Sequence, residues 1–301
     1  MIKNGTLKEV IEGWFYGTED YVQTSNEPLF RENGVLYSYG YHFPLAMHVG
    51  GYQLINADTY GPTTSKHQSY TIRTCSNPVE IPFSALVQAL LGERSYNDSY
   101  RLVQEIKEDM CIIDTKQDQW VQTGTRIDKN GVEQPVMTHI MGATLFSYQC
   151  NYFISGLDET AKWENRYFMT KLLVDPYHEP PTTVEEAYEC MKPSIVKIAE
   201  EKGVEVKRQG EWFFIPTGDN FDQVADKKHI VKNGLLEEGG HHTASEVLTQ
   251  YQPTLYARGI VKHTNKEHKQ LKLYDNVKDK KWYMVVHNVQ MESYAAAGNV
   301  D

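Results

Sequence analysis

Between Gly210 and Asn288 strand-like runs alternate with histidines, and no other stretch restricts the possible folds as strongly. The runs read GEWFFIPTG, LYARGIVKH, QLKLYD and KWYMVVHNVQ, and six of the eleven histidines lie among them. Aromatic and β-branched residues in alternation predict half-buried strands. Leu255–Lys262, Leu271–Tyr274 and Trp282–Asn288 are read as strands on that basis. Val204–Lys207 and Trp212–Ile215 are read as a hairpin across Arg208–Glu211. Thr217–Gly240 reads as a polar loop, and Thr243–Gln250 as a short helix.

Upstream, Met1–Gly50 reads as short strand pieces. The clearest is Val35–Tyr41, entered through the Asn33-Gly34 turn signal. Tyr52–Asn56 is a further strand, Asp58–Tyr70 a polar, turn-rich loop, and Tyr70–Thr74 β-type again. Pro82–Leu91 has the apolar spacing of a helix, opened by proline and closed by Gly92. A second helix starts near Asn97 or Asp98 and carries Tyr100, Leu102, Val103 and Ile106 on its buried stripe. Residues 111–155 form a second β block with a strand from Leu145 to Ile154, and Tyr167–Val174 reads as an apolar strand. Three prolines mark 175–181 as a linker. Thr183 and Glu186 make a capping box for a helix running toward Lys202, kinked or split at Pro193. The sum is an α+β fold of antiparallel β blocks with interspersed helices, in two domains. These are 1–174 and 182–301, joined by the 175–181 linker.

Composition bounds the function classes. With 40% hydrophobic and 12% aromatic residues, the 301-residue chain has the makings of a real core. The formal charge of −10 argues against a general nucleic-acid binder, so direct nucleic-acid binding is not expected. That charge is uneven: Arg258–Lys281 carries eight basic and three acidic residues. Four cysteines without a CxxC pair exclude a zinc ribbon or a thioredoxin motif. No apolar run reaches the length of a membrane-spanning helix, and the first residues lack a signal-peptide layout, which together predict a cytoplasmic protein.

Three constellations are candidates for chemistry or binding. His241, His242, His263, His268 and His287 are of metal-ligand type, yet their spacing matches no zinc signature, and no metal or other cofactor is expected. His263 and His268, an odd number apart, would fall on opposite faces of a strand. Lys66 and His67, among the hydroxyls of Thr63-Thr-Ser-Lys-His-Gln68, are anion-binding candidates, although no glycine-rich cradle leads into a helix there. Tyr37, Tyr39 and Tyr41 alternate, as residues on one strand face do. With Trp212, Tyr256, Trp282 and Tyr283 they are the candidates for a protein interface. No GxSxG, GxGxxG or HExxH occurs, so no catalytic residue is assigned.

Several segments resemble uncharacterised proteins of bacteriophages and other mobile elements. They are YSYGYHFPLA, TTSKHQ, GEWFFIP, HHTASEV, YARGIVKH, EHKQLKL and WYMVVHN, about a third of the chain. The resemblance implies viral or plasmid origin. Phage anti-defence proteins of the Gabija-inhibitor kind are similar in size and in lacking an enzymatic signature. The implied function is an accessory protein that binds and sterically inhibits a host defence complex, such as a defence nuclease, in the host cytoplasm, and self-associates. Two alternatives stand beside it. One is a histidine- or metal-dependent hydrolase of nucleic acid or nucleotides, and the other is a structural virion component.

Overall fold

The computed structural model describes residues 3–18, 20–58, 61–91, 99–127, 132–140, 142–157, 167–174, 179–218, 221, 225–251, 253–265, 269–274, 281–288 and 292–295. The fold is α+β, with mainly antiparallel strands in several sheets and helices between them. Among the described residues no helix is long and apolar enough to cross a membrane. The chain divides into two compact units. Unit 1 comprises Met1–Leu157, Tyr167–Ala187 and Glu292–Asp301, and unit 2 comprises Asp158–Arg166 and Tyr188–Met291.

Unit 1 begins with β1 (Lys3–Gly5) and α1 (Leu7–Phe15). The strand pieces read in this region are accompanied by α1, which the sequence reading does not include and which starts at a capping box. Thr6 Oγ1 accepts from Glu9 N at 3.2 Å, and the Glu9 carboxylate accepts from Thr6 N at 2.7 Å. Then come β2 (Val22–Thr24), β3 (Leu29–Glu32), β4 (Val35–Ser38), β5 (Pro44–Val49), β6 (Tyr52–Asn56) and β7 (Pro78–Ile81). With β1 they form a seven-stranded sheet in sequence order, parallel at its two outer pairs and antiparallel between. The sheet is buried on both faces. Val35, Met47, Leu54 and Val79 belong to one apolar cluster, and Leu36, Leu45 and Ile55 to another with Trp14 of α1.

Between β6 and β7 the chain forms α2 (Pro62–Thr74), where the sequence suggests a loop and a strand. Pro62 at the first helical position presets the backbone. The buried stripe is polar, made of Thr64, His67 and Thr71, so apolar periodicity does not reveal it. The predicted helices beyond are present as α3 (Phe83–Leu91) and α4 (Ser99–Asp109), with Leu102, Val103 and Ile106 buried as expected.

The second β block holds β8 (Met110–Lys116), β9 (Gln119–Ile127), β10 (Glu133–Ile140), β11 (Ala143–Tyr148), β12 (Asn151–Leu157) and β13 (Tyr167–Leu172). The single strand expected over Leu145–Ile154 is two strands, because Gln149 and Cys150 both take positive φ, 46° and 62°, in a tight hairpin turn. β9 and β10 form a two-stranded sheet of their own.

The 175–181 stretch is not where the units divide. Residues 175–178 lie outside the described part. The Thr183–Glu186 capping box opens α5 (Val184–Cys190), and the division falls inside that helix. Pro193 separates α5 from α6 (Ser194–Glu201).

Unit 2 contains β14 (Lys207–Gln209), β15 (Trp212–Pro216), β16 (Ile230–Leu235), β17 (His242–Leu248), β18 (Leu255–His263), β19 (Leu271–Lys272) and β20 (Tyr283–His287). The order is β14-β15-β20-β18-β17-β16, with β19 against β18. Two expectations are corrected here: the polar 217–240 loop includes β16, and the helix expected at Thr243–Gln250 is β17. Its pairing with β16 on one side and β18 on the other decides the conformation of that segment, overriding its weak helical preference. One face of the sheet buries Trp212, Phe214, Val247, Ala257, Val261 and Tyr283. On the other, Val196 and Ala199 of α6 cover Phe213 and Ile215. The final strand, β21 (Glu292–Ala295), belongs to unit 1 and pairs with β13.

Arg31 ties α1 to its sheet. Its buried guanidinium donates to the carbonyls of Glu9 at 2.9 Å and Val10 at 3.1 Å. A Cβ on Gly13 would stand 1.6 Å from Arg31 Nη1. Gly13→Ala is therefore expected to displace the guanidinium and cost about 1–2 kcal/mol in urea unfolding. The same change should cost much less in an Arg31→Met background. Equal costs in the two backgrounds would show that the contact does not constrain Gly13.

Candidate functional site

α2 sets Lys66 and His67 against the loop between β2 and β3 and the end of β4. His67 Nε2 lies 3.0 Å from Glu27 Oε2, and His67 Nδ1 lies 2.9 Å from Ser38 Oγ. Lys66 Nζ is 2.5 Å from Glu27 Oε1. Hydrogen bonds from Lys66, then from His67, hold the Glu27 carboxyl below its ordinary pKa, so it is ionised and can only accept. Burial pushes the His67 pKa down, against the opposing pull of Glu27, and the ring is neutral. The tautomer follows: Nε2–H donates to Glu27, and Nδ1 accepts the Ser38 hydroxyl proton. Thr71 Oγ1 donates to the His67 carbonyl at 2.8 Å and completes the polar face of α2.

Carboxylate, imidazole and hydroxyl in that order make up a nucleophile relay. Here Ser38 and His67 are both 0% exposed, so a substrate has no route to Ser38 Oγ in this conformation. The relay joins three segments of unit 1, buried at Ser38 and His67 and half-buried at Glu27. The expected anion-binding role of Lys66 and His67 is already occupied by the carboxylate of Glu27. Glu27 and Ser38 give no local signal in the sequence, since each is far from His67 along the chain.

The three tyrosines do not share a strand face. β4 ends at Ser38, and Tyr39 turns the chain with φ of 65°. Tyr37 is buried and stacks on Phe30 at 5.1 Å between ring centroids. Tyr41 lies on the surface, edge-on to Phe30, and its hydroxyl donates to Glu32 at 2.6 Å. In unit 2, Trp212, Trp282 and Tyr283 are buried in the core, whereas Tyr256 is half-buried beside Phe221 and Tyr251.

The histidines of unit 2 gather around Trp212. His242 and His263 are direct cross-strand partners, with ring centroids 4.7 Å apart. His287 pairs with Trp212 across β15 and β20 and stacks on it at 4.0 Å. Glu211 Oε1 is 3.9 Å from His242 Nδ1 and 4.0 Å from His287 Nε2. His241 is exposed, with Nδ1 3.2 Å from Thr264 Oγ1. His268 lies outside the described residues. Among the described residues, no three His, Cys, Asp or Glu side chains are placed to hold one metal ion.

A surface feature not singled out from the sequence is the β9–β10 arm. Its strands pair over eight positions with a bulge between Val136 and Met137. Trp120 is 64% and Ile127 76% exposed, and Val132, Val136 and Met137 are exposed as well. Register places Trp120 and Met137 on one face. The available signal was the run of Trp, Val, Thr and Ile in β9. The chain matches no family model, no curated protein and no solved structure.

Proposed function

We propose that the chain is a non-enzymatic accessory protein of a phage or mobile element, which binds a host defence complex and blocks it sterically. The observation that supports this reading is the β9–β10 arm. A two-stranded hairpin is at best marginally stable by itself in water, and this one displays large apolar side chains to solvent. Such a ribbon gains most by docking on another protein, with Trp120 as its aromatic anchor. The target class comes from the resemblance to mobile-element proteins, and a Gabija complex is the first target to test. The buried relay and the histidine cluster add no observation in favour of the hydrolase alternative.

Wild-type chain mixed with a purified Gabija complex is expected to co-elute with it on size exclusion and to restore phage plating on a Gabija-bearing host. Trp120→Ala combined with Met137→Asp should weaken the complex by about 30-fold, as for loss of an aromatic hot spot. Absence of any complex removes the Gabija assignment. Undiminished binding by the folded double variant removes the arm as the contact element.

A further inference from the structure

Net charge conceals an asymmetry between the units. Unit 2 holds 18 Lys and Arg against 17 Asp and Glu, whereas unit 1 holds 12 against 23. The repulsion of anions implied by a charge of −10 therefore resides in unit 1.

On the face of the unit 2 sheet that α6 covers at β15 and β20, the other half presents β16, β17 and β18. Register sets Ile230, Leu248 and Tyr256 in one row and Lys232, Glu246 and Arg258 in the next. Glu246 is neutralised by an ion pair with Arg258, whose guanidinium also lies 4.5 Å from the Trp282 ring centroid. At the end of the first row Tyr256 meets Phe221 at 4.5 Å and Tyr251 at 5.9 Å, a half-exposed aromatic group.

A cationic turn is fixed beside that group. Lys227–His229 forms a 3-10 turn whose start is capped by Asp226, with Lys228 N donating to the carboxylate at 3.0 Å. Asp226 N donates to Gln250 Oε1 at 2.7 Å, and Thr249 N donates to the His229 carbonyl at 3.1 Å, which brings the turn next to Tyr251. Lys227, Lys228 and Lys232 are exposed, and none forms an ion pair among the described residues. Aromatic rings with flanking lysines are what a flexible polyanion with stackable bases requires: the rings take base faces, and the ammonium groups take phosphates.

We propose that this face of unit 2 binds single-stranded nucleic acid, with bases stacking on Tyr251 and its aromatic neighbours and phosphates meeting Lys227, Lys228 and Lys232. The proposal is independent of the β9–β10 arm, which lies in unit 1. It sets aside the inference from total charge, because charge acts locally within a Debye length of roughly 8 Å at physiological salt.

The test is fluorescence anisotropy with the full chain and labelled oligo-dT and oligo-rU at several salt concentrations. Affinity should fall with salt. Lys227→Glu/Lys228→Glu, a surface change that spares the fold, should weaken binding at least tenfold and flatten the salt slope by about 1.4, the value for two single-strand phosphate contacts. Tyr251→Ala should weaken binding about 5- to 100-fold with little effect on that slope. No binding by wild type at low salt overturns the proposal, as does binding that neither variant changes. Equal affinity for duplex of the same length, or equal displacement by polyglutamate, overturns it too, since either marks a face that attracts anions without stacking bases.

Discussion

Replacing His67 with alanine is expected to cost about 2–4 kcal/mol, because it removes the middle of a buried relay. Ser38 Oγ, fully buried, would lose the acceptor at 2.9 Å, and Glu27 would keep only Lys66. His67→Gln restores one polar contact and should recover part of the loss. The relay also predicts a pH dependence. Burial lowers the folded His67 pKa below 6.5, so the unfolded state takes up this proton first as the solution is acidified. Stability contributed by neutral His67 is complete above pH 6.5 and is lost as pH falls below that value. Urea unfolding of wild type and His67→Gln between pH 5 and pH 8 measures it. The two curves should converge toward acid pH, and parallel curves would remove His67 as the source.

Gly259→Ala is expected to destabilise unit 2 by about 3 kcal/mol or more. Gly259 takes φ of 93°, a conformation costly for any residue with a Cβ, and a Cβ there would lie 2.6 Å from Ser245 Cβ. Ser245 cannot easily withdraw. It sits where the register of β17 against β18 shifts, and its hydroxyl accepts from Ile260 N at 2.9 Å. The Gly259 carbonyl in turn accepts from Leu273 N at 2.9 Å, so a backbone shift there would also disturb the seat of β19. Ser245→Gly removes the clash and also the hydroxyl bond to Ile260 N, so Gly259→Ala measured in a Ser245→Gly background, against Ser245→Gly alone, isolates the φ penalty. A loss under about 0.5 kcal/mol for Gly259→Ala alone would mean that the bulge absorbs the methyl group.

What the sequence reveals of this fold depends on which residues carry the buried stripe. β18 alternates buried and half-exposed positions along its length, and its strand character is plain from the letters. α3 and α4 bury apolar residues at helical spacing and are equally legible. α2 buries Thr64, His67 and Thr71 instead, so a search for apolar periodicity passes over the helix that supplies His67 to the relay. β17 is short and mixed in character, and only its neighbours on both sides make it a strand. The interface candidates show the same limit. Large aromatic residues such as Trp212 and Trp282 signal binding and core alike until burial is known, while Trp120 becomes prominent only when β9 and β10 stand apart from the other sheets.

The position of β21 has a consequence for how the chain is made. β13 acquires its outer neighbour only from residues that follow all of unit 2 in the chain. On the ribosome, unit 2 is fully synthesised while unit 1, although begun first, still lacks a strand of its sheet. Until that segment is synthesised, the outer edge of β13 is open to strands of other nascent chains. An early stop codon just after unit 2 would thus damage the half of the protein encoded farthest from it.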